Sequence, residues 1–131
     1  MPKTVTAAIL VNDGKVLIAK RNPTDRLPNK WEFPGGTIEN GETPEQCLQR
    51  ELKEELDIDV TIGEYLGESV YPYEHVTISL LAYRAFWNHG DINLKVHADF
   101  DWVTSNEIGN YDFTAADIPF VERIRSGEIE L

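Results

Sequence analysis

Three glutamates, Glu51, Glu54 and Glu55, lie close together in a stretch without glycine or proline that favours a helix. On an ideal helix of about 100° per residue, their side chains fall within an arc of roughly 100°. Carboxylates at this spacing repel one another, so Arg50, Lys53 or a bound cation must offset the repulsion. Oxygen ligands of this kind suit Mg²⁺ or Mn²⁺, which also bind phosphates. On the helix alone, an ordinary solvated face remains the other interpretation, because glutamate is a good helix former.

The residues around these glutamates form a longer pattern. Gly36 is followed after five residues by Glu42, and after seven more by the run RELKEELDI at residues 50–58. The pattern resembles the Nudix box, G-x5-E-x7-R-E-U-x-E-E-x-G-U with U aliphatic, and eight of the nine specified positions match. Asp57 replaces the last glycine. Because Asp is one of the few other residues tolerated in a left-handed position, we expect a modest loss of stability and little effect on catalysis.

The resemblance implies a metal-dependent hydrolase that cleaves a diphosphate linkage. Divalent cations, Mg²⁺ or Mn²⁺, lower the pKa of water and neutralise developing phosphoryl charge. The implied metal ligands are Gly36, Glu51, Glu54 and Glu55. The implied catalytic residues are Glu51, Arg50 and Glu42. Among these, Glu51 is our first choice for the base that accepts the proton of water, and Arg50 orients a neighbouring carboxylate through an ion pair. Glu42 belongs to the same acidic cluster.

The resemblance extends beyond the box to nearly the whole chain. The segments at residues 31–36, 100–103 and 116–119 are similar to those of MutT-type nucleoside triphosphate pyrophosphohydrolases, closest to the CTP pyrophosphohydrolase and 8-oxo-dGTP diphosphatase subgroup. This implies hydrolysis of a nucleoside triphosphate to a monophosphate and pyrophosphate. Two alternatives remain: a Nudix hydrolase of ADP-ribose or dinucleoside polyphosphates, and a catalytically silent Nudix-fold binding protein, whose expected sign, a broken box, is absent.

The implied substrate-binding residues are Arg21, Asp117 and Phe33. Arg21 matches a family arginine that contacts phosphate, and its guanidinium suits a bidentate contact. Asp117 stands where MutT has an asparagine that reads oxidised guanine. Because an ionised carboxylate only accepts hydrogen bonds, Asp117 favours a donor-rich base edge such as the amine of cytosine, and 8-oxoguanine also offers a donor. The alternative for Asp117 is a helix N-cap. Phe33 could stack on a base, although core packing is its commoner use.

Four further residues have less defined roles. A fourth carboxylate of the site is expected from the loop before Trp102, where Asp99 and Asp101 both qualify. His97 is interpreted as a surface or structural residue. Glu74 stands where relatives have an arginine, which leaves the geometry of the pocket open.

The elements that must position these residues can be predicted from local signals. Asn12-Asp13-Gly14 indicates an antiparallel hairpin between runs 4–11 and 15–20. Thr43, Pro44 and Gln46 predict the start of a helix over 44–56, with Leu48, Leu52 and Leu56 as its apolar stripe. Further strands are predicted within 58–66, broken at Gly63, and over 75–87 and 100–103. A helical turn is predicted at 104–108 and a terminal helix within 115–125, with Ile118, Val121 and Ile124 at helical spacing. The fold class is therefore α/β, an α/β/α sandwich around a curved mixed sheet, as the family resemblance also implies.

Composition and charge limit the classes of protein to which the chain can belong. The chain has 131 residues, 41% apolar and 27% charged, which suits a single domain over residues 1–131. With no apolar run of about 18 residues and one cysteine, we expect a cytoplasmic protein without a membrane partner. The net charge of −11 argues against nucleic acid polymers. The charge is uneven, however: residues 1–30 are basic and 39–55 acidic, and they could form two walls of one site. A monomer and a homodimer both remain open.

Overall fold

A computed structural model describes residues 2–131, which form one six-stranded sheet and, within that range, two α-helices and two short 3-10 helices. The strands are β1 Lys3–Asn12, β2 Lys15–Lys20, β3 Trp31–Glu32, β4 Asp59–Pro72, β5 Thr77–His89 and β6 Asp99–Val103. The helices are α1 Pro44–Leu56 and α2 Ile118–Arg125, and the 3-10 helices are Ile108–Asn110 and Ala115–Asp117.

The sheet is mixed, with strand order β3-β2-β1-β5-β4 and β6 paired with β2. β1 and β5 run parallel, and every other pair of neighbouring strands is antiparallel. The helices pack on opposite faces, because each presents an apolar stripe to a different core. On α1 the stripe is Leu48, Leu52 and Leu56, which pack with Leu10 and Leu17. This arrangement confirms the predicted α/β/α sandwich.

The other face of the sheet is covered by α2 through Phe120, Val121 and Ile124. The predicted stripe was wrong at Ile118, whose side chain is exposed. Phe120 is buried instead, because Pro119 stands in the first turn of α2 and the preceding 3-10 helix sets a different rotation from a regular helix over 115–125.

Both ends of α1 follow the sequence signals. The Thr43 hydroxyl accepts from the Gln46 backbone N–H, and the Gln46 side chain accepts from the Thr43 N–H, which completes the predicted capping box. At the other end Asp57 has φ 61°, so the position that the family gives to glycine is left-handed here as well. Its N–H donates to the Lys53 carbonyl at 3.1 Å.

The strands confirm some predictions and correct others. The hairpin between β1 and β2 turns at Asp13 and Gly14, both with positive φ, as expected. The predicted break at Gly63 was wrong: β4 continues to Pro72, because shifts in its register with β5 absorb the irregularity near Gly63 and Gly67. The predicted helical turn at 104–108 is a hydrogen-bonded turn, and the 3-10 helix starts at Ile108.

The segment that follows β3 is attached to the N-terminal half of β1. Ala8 donates to the Pro34 carbonyl at 2.8 Å, and Thr6 donates to the Gly36 carbonyl at 2.8 Å. A Cβ on Gly35 would lie 1.9 Å from the Thr6 carbonyl oxygen, so only glycine allows this approach. These contacts fix the two glycines beside the glutamates of α1. Within residues 2–131, no helix is long and apolar enough to cross a membrane.

Candidate functional site

Arg50 lies at the centre of the acidic cluster. Its guanidinium donates to both oxygens of Glu42, at 2.6 and 3.0 Å, to Glu51 at 2.8 Å and to Glu54 at 3.2 Å. The hydrogen bonds from Arg50 lower the pKa of Glu42 to about 2. The carboxylates raise the pKa of Arg50 further above its ordinary value. The structure therefore brings the three predicted catalytic residues together and pairs Arg50 with Glu51, as the resemblance implies.

Glu55 differs from the other glutamates because it faces inward from α1. Its Oε1 is shielded from solvent and has no hydrogen-bond partner among residues 2–131. Burial, and then the nearby Glu51 carboxylate, raise the pKa of Glu55 well above its ordinary range. An unpartnered carboxylate oxygen beside a second carboxylate fits a divalent cation with oxygen ligands, because the cation removes both the repulsion and the cost of burial.

The other predicted metal ligands, Gly36, Glu51 and Glu54, already have hydrogen-bond partners in the structure. Glu51 and Glu54 are held by Arg50, and in residues 2–131 no three His, Cys, Asp or Glu side chains converge as a preformed metal site. A Cβ on Gly36 would lie 2.4 to 2.6 Å from the Glu51 carboxyl group, so glycine is required there for close packing. The Gly36 carbonyl accepts from the N–H and the hydroxyl of Thr6, which disfavours its predicted role as a metal ligand. Gly35 is the glycine whose backbone N–H approaches Glu55.

A cavity of about 580 Å³ opens next to Glu55. It has the size of a small-molecule site. The charged and aromatic residues that line it come from distant parts of the sequence: Lys3, Arg21, Asp25, Arg26, Glu32, Phe33, Glu55, Tyr73, Glu74, His75, His97 and Asp117. The three predicted substrate-binding residues all lie on this wall. The expectation of one basic and one acidic wall holds only in part. Residues 39–55 contain six glutamates, and only one of them, Glu55, lines the cavity.

Asp117 is buried at the cavity wall, with 6% of its surface exposed. Its carboxylate accepts from the Phe33 backbone N–H at 3.2 Å and from the Thr114 hydroxyl. Burial, and next the charge of Glu32, raise the pKa of Asp117 to about 7. Asp117 occupies the N-cap position of α2, as the alternative predicts, but its side chain makes no capping hydrogen bond to the helix. Phe33 packs on Phe113 with ring centroids 5.4 Å apart and also lines the cavity.

The sequence analysis did not identify Glu32 and His97 as site residues, although both line the cavity. Glu32 accepts from Arg21 at 3.0 Å and contacts His97 Nε2 at 2.9 Å. The side chain of His97 is only 3% exposed, so of the two interpretations, surface or structural residue, the surface one was wrong. A signal that could have found Glu32 is its place between the aromatic residues Trp31 and Phe33. No local pattern singles out His97, because its partner lies 65 positions away.

The structure places several other predicted residues away from the cavity. Asp101 accepts from the Tyr111 hydroxyl at 2.6 Å, which raises the pKa of Tyr111 to about 12. Asp99 is exposed and accepts from the adjacent Phe100 N–H. Neither aspartate lines the cavity, so the geometry does not support either as the fourth carboxylate. Glu32 does line the cavity, and its carboxylate contacts both Arg21 and His97 there.

The chain is similar to known proteins along nearly its whole length. A family model described as NUDIX domain matches residues 1–124. The chain is 37% identical over 118 residues to CTP pyrophosphohydrolase of Escherichia coli (strain K12), covering 90% of this chain and 87% of that protein. It is 30% identical over 125 residues to 8-oxo-dGTP diphosphatase of the same strain, covering 92% and 95% respectively.

Solved structures give the same result for the fold. The solution structure of the E. coli ORF135 protein superposes with a TM-score of 0.82 at 34% identity, covering 96% of this chain and 90% of that one. The crystal structure of MutT protein from Methanosarcina mazei Go1 gives a TM-score of 0.86 at 23% identity, covering 97% and 96%. The second similarity concerns the fold alone.

Proposed function

The chain belongs to the NUDIX family and is a Nudix hydrolase, and we propose that it hydrolyses (deoxy)nucleoside triphosphates to a monophosphate and pyrophosphate. Nudix hydrolases generally use divalent metal ions. We propose Mg²⁺, or Mn²⁺, for this chain. The names of its relatives, CTP pyrophosphohydrolase and 8-oxo-dGTP diphosphatase, support a cytidine-type or an oxidised nucleotide as substrate.

One observation carries this proposal. Glu55, whose Oε1 has no partner in residues 2–131, lies near Glu51 and lines a cavity whose wall also holds Arg21 and the buried Asp117. A nucleoside triphosphate offers the matching groups, because its phosphates bind both a metal ion and an arginine and its base offers hydrogen-bond donors. A cavity of about 580 Å³ is large enough for the nucleotide.

The residues present fit a divalent cation through the oxygens of Glu51, Glu54 and Glu55. When bound, a cation lowers the pKa of water and offsets the phosphate charge. Glu51 accepts the proton of the attacking water in this proposal. Arg50, itself held at two points by Glu42, donates to Glu51 at 2.8 Å and thereby orients that carboxylate.

Two further residues that line the cavity, Arg21 and Asp117, bind the substrate in this proposal. Arg21 uses Nη1 for Glu32 and Nε for the Arg26 carbonyl, so its remaining N–H groups are available for a phosphate. Asp117 presents a carboxyl group to the base. In its ionised form it accepts from the exocyclic amine of cytosine or from the ring donor of 8-oxoguanine.

We also propose that residues 1–131 act as one domain and that long nucleic acids are not substrates. The net charge of −11 repels a polymer along its whole length, whereas a short triphosphate meets only the cavity. The single cysteine, which is buried, fits a reducing compartment such as the cytoplasm.

The test is cleavage, with Mg²⁺, of a panel of purified nucleotides, with all products separated and identified by anion-exchange chromatography. The panel contains the standard triphosphates, oxidised and methylated cytidine triphosphates, 8-oxo-dGTP, ADP-ribose and dinucleoside polyphosphates. The proposal expects the largest kcat/KM for a cytidine-type or oxidised triphosphate. Faster cleavage of ADP-ribose or a dinucleoside polyphosphate would overturn it in favour of the second Nudix activity. Cleavage of nothing on the panel would favour a silent binding protein.

A further inference from the structure

The buried histidine at the cavity is not used by the reaction described so far. His97 is held through its neighbours in the chain: Lys95 donates to the Glu55 carbonyl at 3.0 Å, and Ala98 donates to the Lys20 carbonyl at 2.9 Å. These bonds fasten the segment to the end of α1 and to the end of β2. The backbone at His97 is therefore held in position independently of any contact that the imidazole ring makes.

The ring of His97 makes one hydrogen bond. Nε2 lies 2.9 Å from Glu32 Oε2, and Nδ1 is shielded from solvent without a partner in residues 2–131. A neutral ring with its proton on Nε2 satisfies this arrangement, because Nε2 donates and Nδ1 carries no proton. A proton on Nδ1 would instead leave a buried donor without an acceptor, which is the costlier case.

Glu32 divides its two oxygens between two donors. Oε1 accepts from Arg21 Nη1 at 3.0 Å, and Oε2 faces His97. Without His97, both oxygens of Glu32 become free to turn to Arg21. Arginine and carboxylate groups readily form such paired, two-point contacts. An Arg21 bound in this way has fewer N–H groups left for an anion in the cavity.

We infer that His97 is a positioning residue that holds one oxygen of Glu32 and thereby keeps Arg21 available to the phosphates of the substrate. This inference rests on the proposed function for the identity of the anion. His97 does not touch the reacting atoms in this scheme. Its loss therefore weakens binding of the phosphate chain for every base, and leaves the chemical step nearly intact.

Two substitutions at the same position separate this role from simple packing. In His97→Gln, the amide nitrogen takes roughly the place of Nε2 and still donates to Glu32. In His97→Asn, the shorter side chain ends near the position of Nδ1 and does not reach Glu32. His89→Asn, at an exposed site at the end of β5, is the matched control.

The experiment measures the binding of inorganic tripolyphosphate by calorimetry and the steady-state kinetics of triphosphate cleavage. We expect His97→Asn to raise the Kd for tripolyphosphate, and the KM for every triphosphate, by about tenfold with kcat nearly unchanged, since a hydrogen bond to a charged group is lost. His97→Gln restores values near those of the wild type. Equal Kd and KM values for the wild type and His97→Asn would overturn the inference.

A second measurement needs neither catalysis nor a substituted histidine. In a ¹⁵N spectrum of the wild type, His97 should show the Nε2–H tautomer, and Glu32→Gln should shift its ring signals while those of His89 stay in place. Ring signals of His97 that do not respond to Glu32→Gln would overturn the inference even if His97→Asn failed to fold. An inactive wild type with these responses intact would instead count against the proposed function alone.

Discussion

The carboxylates of this protein fall into two regions with opposite preferences for a proton. In the Arg50 cluster, Glu42 receives two hydrogen bonds from a guanidinium, and its pKa falls to about 2. At the cavity wall, Asp117 is buried beside the charge of Glu32, and its pKa rises to about 7. The residue types are almost the same. The difference teaches that partner and burial, rather than side-chain type, decide which of these acids are ionised at neutral pH and which hold a proton.

The largest expected effect comes from Glu55→Gln. Activity with Mg²⁺ should fall by more than roughly 100-fold, because a metal-binding oxygen is replaced by an amide. Stability without metal should change in the opposite direction. The raised pKa of Glu55 means that the folded protein loses stability as the pH rises above the ordinary range of glutamate, and the amide removes that loss.

Measurement of kcat/KM and of Tm in EDTA at pH 8 checks both effects. Glu45→Gln, on an exposed position of the same helix, is the matched control and should change neither. A Glu55→Gln enzyme with activity within about tenfold of the wild type would remove Glu55 from the metal set.

Asp117→Asn should change base preference. The amide both donates and accepts, so the ratio of kcat/KM should shift from cytidine towards guanine nucleotides, by about tenfold. Competition between dCTP and 8-oxo-dGTP in one reaction measures that ratio directly. An unchanged ratio would show that Asp117 does not read the base.

The same variant tests the pKa of the buried acid. Because the folded protein keeps the Asp117 proton up to about pH 7 and the unfolded chain releases it near pH 4, wild-type stability should fall over that interval and then level off. The loss attributable to Asp117 is roughly 2 to 4 kcal/mol, and Asp117→Asn should lack it. Urea unfolding at pH 4, 5.5, 7 and 8 provides the check. If the unfolding free energies of both proteins changed with pH in the same way, the raised pKa of Asp117 would be contradicted.

A smaller effect is expected in the Arg50 cluster. Glu42→Gln removes the paired contact that holds Arg50, so kcat should fall by about tenfold through poorer orientation of Glu51. The lowered pKa of Glu42 contributes stability above the ordinary range of glutamate, and this contribution is lost as the pH falls through about 2. The variant should therefore depend less on pH between 4.5 and 2.

Glu39→Gln is the control for this experiment, since Glu39 is exposed and lies 3.7 Å from Arg50. Stopped assays at pH 7.5 and thermal melts across the acid range give the two readouts. Identical kcat values for Glu42→Gln and Glu39→Gln would indicate that the paired contact does not act on catalysis.

The smallest effect is expected from Asp57→Gly, which restores the residue of the family pattern. Asp57 already adopts the left-handed conformation, and its carboxylate lies 3.6 Å from the Lys53 amine. Relief of backbone strain and loss of this contact act in opposite directions. Unfolding free energy should change by less than about 1 kcal/mol, and kcat/KM should stay constant. A large gain in activity would show that Asp57 impairs the site.

Local signals were sufficient for α1 and for the β1–β2 hairpin. The capping box, the leucine stripe and the left-handed residue that ends the helix all act within a few residues, and the turn at Asp13-Gly14 is equally local. The second half of the Nudix box lies on this helix, so the sequence alone also indicated the acidic cluster and the metal-dependent chemistry that the resemblance implies.

Only the tertiary structure distinguished residues that look alike in the sequence. Glu54 and Glu55 are adjacent glutamates, yet one is exposed and pairs with Arg50, whereas the other lines the cavity and has a buried oxygen without a partner in residues 2–131. The contact of Glu32 with His97 and the burial of Asp117 depend on strands and loops that are far apart in the chain. Burial and long-range pairing are set by how the sheet brings these segments together, so no spacing along the sequence records them. The sequence by itself therefore determined the helix, the hairpin and the chemistry of the box, and the assembled fold decided which acids face the substrate.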